Sequence, residues 1–234
     1  MASSHFISPI LESIQLGRPT SYGSEDALDA HDKPWTTGFF KTPAQGPVFA
    51  ATTNLAGDGQ ADLINHGGID KAVLAYSADH YLDWREQLRL PDMPFGAFGE
   101  NLTITGLKEE SVCIGDICRI GAATFEVSQP RQPCWKLARR WRMHELVRLV
   151  VQSGRSGWYL RVLEEGWIEA RMPVVLLERP NPEWSVARAN VILHHRRSDL
   201  PLTLQLASVP ELADSWVGEL QERAERLRAA STAT

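Results

Sequence analysis

Val112-Cys113-Ile114-Gly115-Asp116-Ile117-Cys118-Arg119-Ile120 is the stretch on which the fold is read. Its two arms alternate around Gly115-Asp116, the pattern of a hairpin closed by a two-residue turn. In that register Ile114 faces Ile117 and Cys113 faces Cys118, which makes the two thiols small apolar residues rather than a redox pair. Another strand, Ala123–Gln129, follows at once. Working outward, Ile10–Leu16, Val48–Thr53, Ala72–Tyr76, Asn101–Thr105 and Val174–Glu178 read as further short strands, and Ala78–Leu88 as a helix with Tyr81, Trp84 and Leu88 on one face. Short strands separated by Gly and Pro turns point to a mainly β protein with α, built on a β-barrel core rather than a doubly wound sheet.

After Pro180-Asn181-Pro182 the texture changes. Ser185 can cap a helix carrying Val186, Ala189, Asn190 and Leu193. Ser208-Val209-Pro210-Glu211 has capping-box spacing ahead of the stripe Leu212, Trp216, Leu220, Ala224 and Leu227. Between them Leu200, Leu202, Leu204 and Leu206 alternate like a strand, but two flanking helices favour a third. The expected organisation is a barrel domain over 1–182 and a small three-helix domain over 183–234. The apolar stripes of those helices suit either the barrel or a homodimer.

The chain has 234 residues, a formal charge of −5 and a mean hydropathy of −0.24. That is a soluble globular composition, with no apolar run near the ~18 residues that span a bilayer. Met1–Pro9 lacks a basic start and an apolar run, so no signal peptide is read there. Three cysteines suit a reducing cytoplasm. The acidic balance argues against a nucleic-acid partner. The charge is uneven, however. Between Arg131 and Arg155 seven cations face only Glu145, so this window is +6 and the rest is −11. The run begins at a cysteine, which sets an anion site beside a reactive thiolate against the plainer reading of a solvated helix face.

That cysteine lies in Pro130-Arg131-Gln132-Pro133-Cys134-Trp135-Lys136-Leu137. With Pro133 in a first helical turn, Cys134 sits at the positive end of a helix between Arg131 and Lys136, all of which favour a thiolate. A thiolate is both a nucleophile and a ligand for soft metals. The second constellation is Asn65-His66-Gly67-Gly68-Ile69-Asp70-Lys71, a loop whose glycines suggest close backbone approach and whose histidine can donate or ligate. Asp58, Asp62 and Asp70 lie near it in sequence. Gly99-Glu100-Asn101 is a third polar loop. No zinc or iron–sulfur spacing, phosphate loop or dinucleotide fingerprint occurs.

Taken in order, Gly57-Asp58-Gly59-Gln60-Ala61-Asp62, His66-Gly67-Gly68-Ile69-Asp70-Lys71-Ala72-Val73, Phe98-Gly99-Glu100-Asn101-Leu102, Ile114-Gly115-Asp116 and Gln129-Pro130-Arg131-Gln132-Pro133-Cys134 resemble the MOSC-domain family. These are relatives of the C-terminal domain of molybdenum cofactor sulfurases. Gly154-Arg155-Ser156-Gly157-Trp158-Tyr159 and the helical tail make the chain similar to the YiiM-like subgroup. The resemblance implies a MOSC-type β-barrel with a helical C-terminal domain, and a molybdenum–molybdopterin cofactor whose metal is held by Cys134. It implies cofactor binding by Lys41, His66, Lys71, Asn101 and Arg131, and no pyridoxal phosphate. It also implies reduction of N-hydroxylated compounds such as hydroxylaminopurines and amidoximes. One departure is Ala170-Arg171, where relatives tend to carry Gly-Asp before a strand.

In this reading Cys134, His66 and Asp62 are catalytic, with His66 or Asp62 relaying protons. No flavin or iron–sulfur motif is present, so electrons come from a separate reductase, a flavoprotein or similar. Two other readings compete: a non-enzymatic carrier of sulfur or molybdenum cofactor on Cys134, and a cysteine hydrolase pairing Cys134 with His66.

Overall fold

The computed structural model describes residues 8–232; most of the Met1–Pro9 stretch read for a signal peptide lies outside them. The main element is an eight-stranded mixed sheet. Its strands are β1 (Ile10–Leu16), β4 (Thr42–Pro43), β7 (Val73–Ser77), β8 (Leu102–Thr105), β9 (Ile117–Ile120), β10 (Ala123–Pro130), β11 (Trp158–Glu164) and β13 (Val174–Glu178), in the order β13-β9-β10-β11-β7-β8-β1-β4. Among the described strands only β7 and β8 run parallel. Two small ribbons complete the β structure. One joins β2 (Thr20–Tyr22) to β3 (Trp35–Thr37); the other sets β5 (Val48–Ala51) between β6 (Asn54–Leu55) and β12 (Gly166–Ile168).

The protein is mainly β with α, as expected, but its sheet is not a closed barrel. The start of β1 bridges to Pro173 at Ile10, and Leu11 N donates to Met172 O at 2.9 Å, just ahead of β13. The curled edges therefore touch at one end, without a continuous ladder between them. The turn that makes this contact holds Arg171 at φ +74°. There the sequence carries Ala170-Arg171, and an ion pair with Glu12 fastens the arginine.

The hairpin read over Val112–Ile120 is displaced. β9 pairs with β10 around Gly121-Ala122, with Phe125 opposite Cys118, while Cys113 bridges to Ser185. The cause is Asp116, whose carboxylate accepts from Cys113 N at 2.9 Å and from Arg179 Nε and Nη2 at 2.8 and 2.7 Å. Those bonds fold Gly115-Asp116 into a turn that anchors the later chain instead of closing two arms. Cys113 and Cys118 are consequently not cross-strand neighbours, and none of the three cysteines is in a disulfide.

Among the described residues seven α-helices accompany the strands: α1 (Leu63–His66), α2 (Tyr81–Leu88), α3 (Trp135–Trp141), α4 (Leu146–Ser153), α5 (Val186–His194), α6 (Leu200–Ala207) and α7 (Asp214–Thr232). Ser185 caps α5 through Arg188 N, and Asp199 caps α6 through Leu202 N at 3.0 Å. That cap, with Pro201 in the first turn, outweighs the alternating leucines and makes the third helix. The last helix begins at Asp214, three residues beyond Glu211, because the intervening turn is tied to β10 by Ala213 N donating to Ser128 O at 3.0 Å.

Trp184, Val186, Leu193, Trp216 and Leu220 belong to the same buried core as Leu11, Phe125 and Trp158 of the sheet. The helical stripes thus face the sheet. A second cluster of Tyr76, Trp84, Phe98, Leu137 and Val150 joins α2, α3 and α4 beside it.

Candidate functional site

One cleft gathers most of the residues picked out from the sequence. It lies over Leu74 of β7 and Tyr159 of β11, encloses about 590 Å³ including space open to solvent, and is also lined by Lys41, Asp58, His66, Lys71, Asn101, Arg131, Cys134 and Lys136. Three backbone segments form its walls: the strap ending at Lys41, the loop from Asp58 to Lys71, and the chain that leaves β10 at Arg131.

The floor is a buried polar knot. Lys41 Nζ is ion-paired with Asp58, whose side chains are 7% and 1% exposed. Asp58 also accepts from Gly17 N at 2.7 Å and from Asn101 Nδ2 at 2.8 Å. Asn101 accepts from Leu74 N at 3.1 Å and donates to Gln15 O at 3.2 Å, so its amide is fully engaged. Burial lowers the Lys41 pKa, opposed by the Asp58 carboxylate. Lys41 and Asn101 therefore line the cleft with their polar groups already committed to Asp58. Beside them Gly38 packs on Gly59, where a Cβ would come within 2.2 Å of the Gly59 carbonyl oxygen.

Arg131 is different. It is 3% exposed, donates from Nη2 to Phe98 O at 3.0 Å, and its buried Nη1 has no hydrogen-bond partner among the described residues. An orphaned guanidinium N–H is costly unless a ligand satisfies it. Lys71 uses one donor on Asn65 O at 2.9 Å, and burial lowers its pKa. Lys136, which the sequence reading used only as a neighbour of the thiol, is nearly buried and also lines the cleft. Counting Lys41, the lining holds four cations and one carboxylate.

α3 begins at Trp135, so Pro133 lies outside the first turn where it was expected and Cys134 is the N-cap residue. Its half-buried thiol lines the cleft together with His66, and no hydrogen bond among the described residues joins the two. His66 ends α1, and its pKa falls to about 4, chiefly through burial and then through the Lys136 charge. Its imidazole is neutral near pH 7. Gly68, just after it, adopts φ +91° with open space around it, so its glycine serves backbone direction rather than close approach.

Asp62 is outside the lining. Its carboxylate caps α1, accepting from Asn65 N at 3.0 Å and Asn65 Nδ2 at 2.9 Å, and these bonds lower its pKa. Asp70 likewise turns away, to Arg161 Nε at 2.6 Å. Glu100 accepts from Gly96 N at 2.7 Å and Phe98 N at 3.1 Å, which shapes the loop before β8.

Five of the seven cations in the +6 window fall into two groups, while Arg148 pairs with Glu145 and Arg155 lies over Trp84 beside Asp83. Arg131 and Lys136 face the cleft. Arg139 donates to His31 O at 2.9 Å, Arg140 to Phe39 O at 3.0 Å, and Arg142 pairs with Asp29 and Asp32 at 2.7 and 2.6 Å. Those three bind the strap that forms one cleft wall. Sequence distance could not separate the two uses, because Lys136, Arg139 and Arg140 share the short helix α3.

Fold and site together define an α-and-β protein with a thiol beside a positively lined cleft. The chain belongs to the MOSC-domain family: residues 62–175 match the MOSC domain and 184–226 the YiiM-like 3-alpha helix domain. It is 44% identical over 215 residues to the uncharacterized protein YflK of Bacillus subtilis, covering 92% of this chain and 94% of that one. A protein of Gibberella moniliformis named "Reductase" is 40% identical over 191 residues, 80% of this chain but 34% of the fungal protein. The crystal structure of YiiM from Geobacillus stearothermophilus superposes with a TM-score of 0.77 at 38% identity, covering 92% of this chain and 99% of that one. No described helix is long and apolar enough to cross a membrane.

Proposed function

We propose that this chain is a molybdenum-cofactor-dependent oxidoreductase that reduces N-hydroxylated compounds, hydroxylaminopurines and amidoximes among them, with electrons from a separate reductase. The observation that carries this reading is the Cys134 thiol sharing a cleft with the partnerless Arg131 Nη1. A molybdenum–molybdopterin group combines a soft metal, which favours a thiolate, with a phosphate, which favours N–H donors and cations. The donor set fits it: Cys134 would hold the metal, and Arg131, Lys71 and Lys136 the phosphate. The bound group supplies two-electron redox chemistry. The name of the fungal relative supports a reductive reaction.

The reaction R–NH–OH + 2e⁻ + 2H⁺ → R–NH₂ + H₂O needs protons at the leaving oxygen. His66, neutral at pH 7, can pass one proton to that oxygen from a ring nitrogen as its other nitrogen takes one from solvent, and the second proton comes from solvent. Asp62 supports this by capping the helix that ends in His66. The Lys41–Asp58–Asn101 knot fixes the floor.

The test is anaerobic turnover of an N-hydroxylated base with dithionite, using protein expressed in a cofactor-competent host. Wild type is expected to form the amine and water, and Cys134→Ser to lose turnover. Cofactor-loaded wild type that forms no amine contradicts the reading.

A further inference from the structure

Glu109 and His80 form a buried pair that the mechanism above does not use. Their side chains are 2% and 5% exposed, and Glu109 Oε2 accepts from His80 Nε2 at 2.6 Å. Such groups are costly to bury, so where their bonds end matters. Glu109 Oε1 accepts from Gly157 N at 2.8 Å, and Gly157 O in turn accepts from Arg131 N at 3.0 Å. Gly157 has φ +76°, and a Cβ there would stand 2.5 Å from Ala75 O, so only glycine lets the chain pass here. The far end of the same arginine leads back to the pair. Arg131 Nη2 donates to Phe98 O at 3.0 Å, the Phe98 ring stacks on Tyr76 with centroids 4.5 Å apart, and Tyr76 meets the His80 ring edge-on at 5.8 Å. Tyr76 also donates to Arg155 O at 3.0 Å, two residues before Gly157. Arg131 is thus held at its backbone and at its guanidinium by two chains of contacts that meet at His80 and Glu109, while Nη1 stays open.

We infer that Glu109, braced by His80, is a positioning residue for Arg131: by fixing the Gly157 peptide it holds the guanidinium where the open Nη1 meets an anionic oxygen of a ligand in the cleft. This deepens the function proposed above and rests on it for the identity of the ligand, whose phosphate supplies that oxygen. Glu109 is not among the residues lining the cleft, so it acts through Arg131 alone. A guanidinium–phosphate bond gains most when the donor is already oriented, and an arginine left free to swing gives up part of that gain. Both carboxylate oxygens are needed, one for His80 and one for Gly157.

The probe is inorganic phosphate on the cofactor-free full chain. The readout is the phosphate concentration that half-protects the Cys134 thiol from iodoacetamide at constant ionic strength, with Cys134→Ser as the blank for the other two cysteines. Glu109→Ala is expected to raise that concentration about tenfold or more. Glu109→Gln, which keeps an oxygen for Gly157 N, should stay within about twofold of wild type. Glu109→Asp, too short to reach both partners, should raise it by about threefold or more and serves if Glu109→Ala does not fold. In an Arg131→Gln background Glu109→Ala should add less than about twofold, because the two residues act as one unit. A merely structural pair would lower the thermal midpoint and leave phosphate protection unchanged in every folded variant; that result overturns the inference. A Glu109 effect that persists in full beside Arg131→Gln overturns it too, as does a wild type that phosphate does not protect. The proposed function fails separately: wild type that phosphate protects in this pattern, yet that takes up no molybdenum or pterin, leaves the positioning of Arg131 standing and contradicts the reductase reading.

Discussion

Asp58→Asn is the sharpest perturbation of the cleft floor. It leaves the Lys41 ammonium, 7% exposed, without its ion-pair partner, and removes an acceptor from Asn101 Nδ2. Removing one partner of a buried ion pair costs about 3–5 kcal/mol, because the remaining charge has lost its solvent and its partner. For a chain of this size each kcal/mol moves the thermal midpoint by about 2–4 °C, giving an expected fall of about 6–20 °C. Lys41→Met should cost less, since the Asp58 carboxylate keeps the Gly17 N and Asn101 Nδ2 donors. The double variant should be more stable than the sum of the singles implies, by about 1–3 kcal/mol. Urea and thermal unfolding of the four proteins give all terms. Single variants that each lose under about 1 kcal/mol, or a double variant equal to their sum, would refute the idea that the knot builds the floor.

The His66 pKa of about 4 lies below its ordinary value near ~6.5, so between those pH values the unfolded chain binds a proton that the folded one does not. Stability conferred by the neutral ring is therefore complete above about pH 6.5 and lost as pH falls toward 4. Wild type should lose stability relative to His66→Gln between pH 7.5 and 4.5 in urea unfolding, and a change of opposite sign contradicts the burial argument. Arg171→Gly should raise stability by up to about 1 kcal/mol, since glycine adopts φ +74° without strain and the exposed arginine's pair with Glu12 is worth little; a loss above about 1 kcal/mol speaks against it. Trp216→Ala should cost about 3–5 kcal/mol, with far-UV circular dichroism and tryptophan fluorescence still unfolding together, because the helices and sheet share one core. Two separated transitions would show that they do not.

Many strands were legible because their residues alternate or form short buried runs, Val73–Ser77 among them, whereas β11, central in the sheet between β10 and β7, was not read. The misplaced hairpin shows where local pattern fails. The alternation from Val112 to Ile120 is real, but Asp116 makes its decisive bonds to Arg179, 63 positions away. Helix α6 was ambiguous for the converse reason, its cap and proline settling what the leucines could not. In the site, His66, Lys71, Arg131 and Cys134 stood out because glycines, cations or a thiol surrounded them in sequence. Their common cleft is a product of the folded chain. Lys136 as a lining residue and Asp58 as the partner of Lys41 needed three dimensions, as did the capping role of Asp62. The charge window pointed to an anion site yet could not reveal that Arg139, Arg140 and Arg142 hold the strap.

The central claim, a molybdenum–pterin cofactor held through Cys134, is tested most directly by metal and pterin analysis of protein from a cofactor-competent host. Wild type is expected to carry molybdenum and pterin in near-equal amounts approaching one per chain, and Cys134→Ser, folded to the same extent, to lose the metal. Wild type with no molybdenum above background, or Cys134→Ser retaining it in full, would contradict the account.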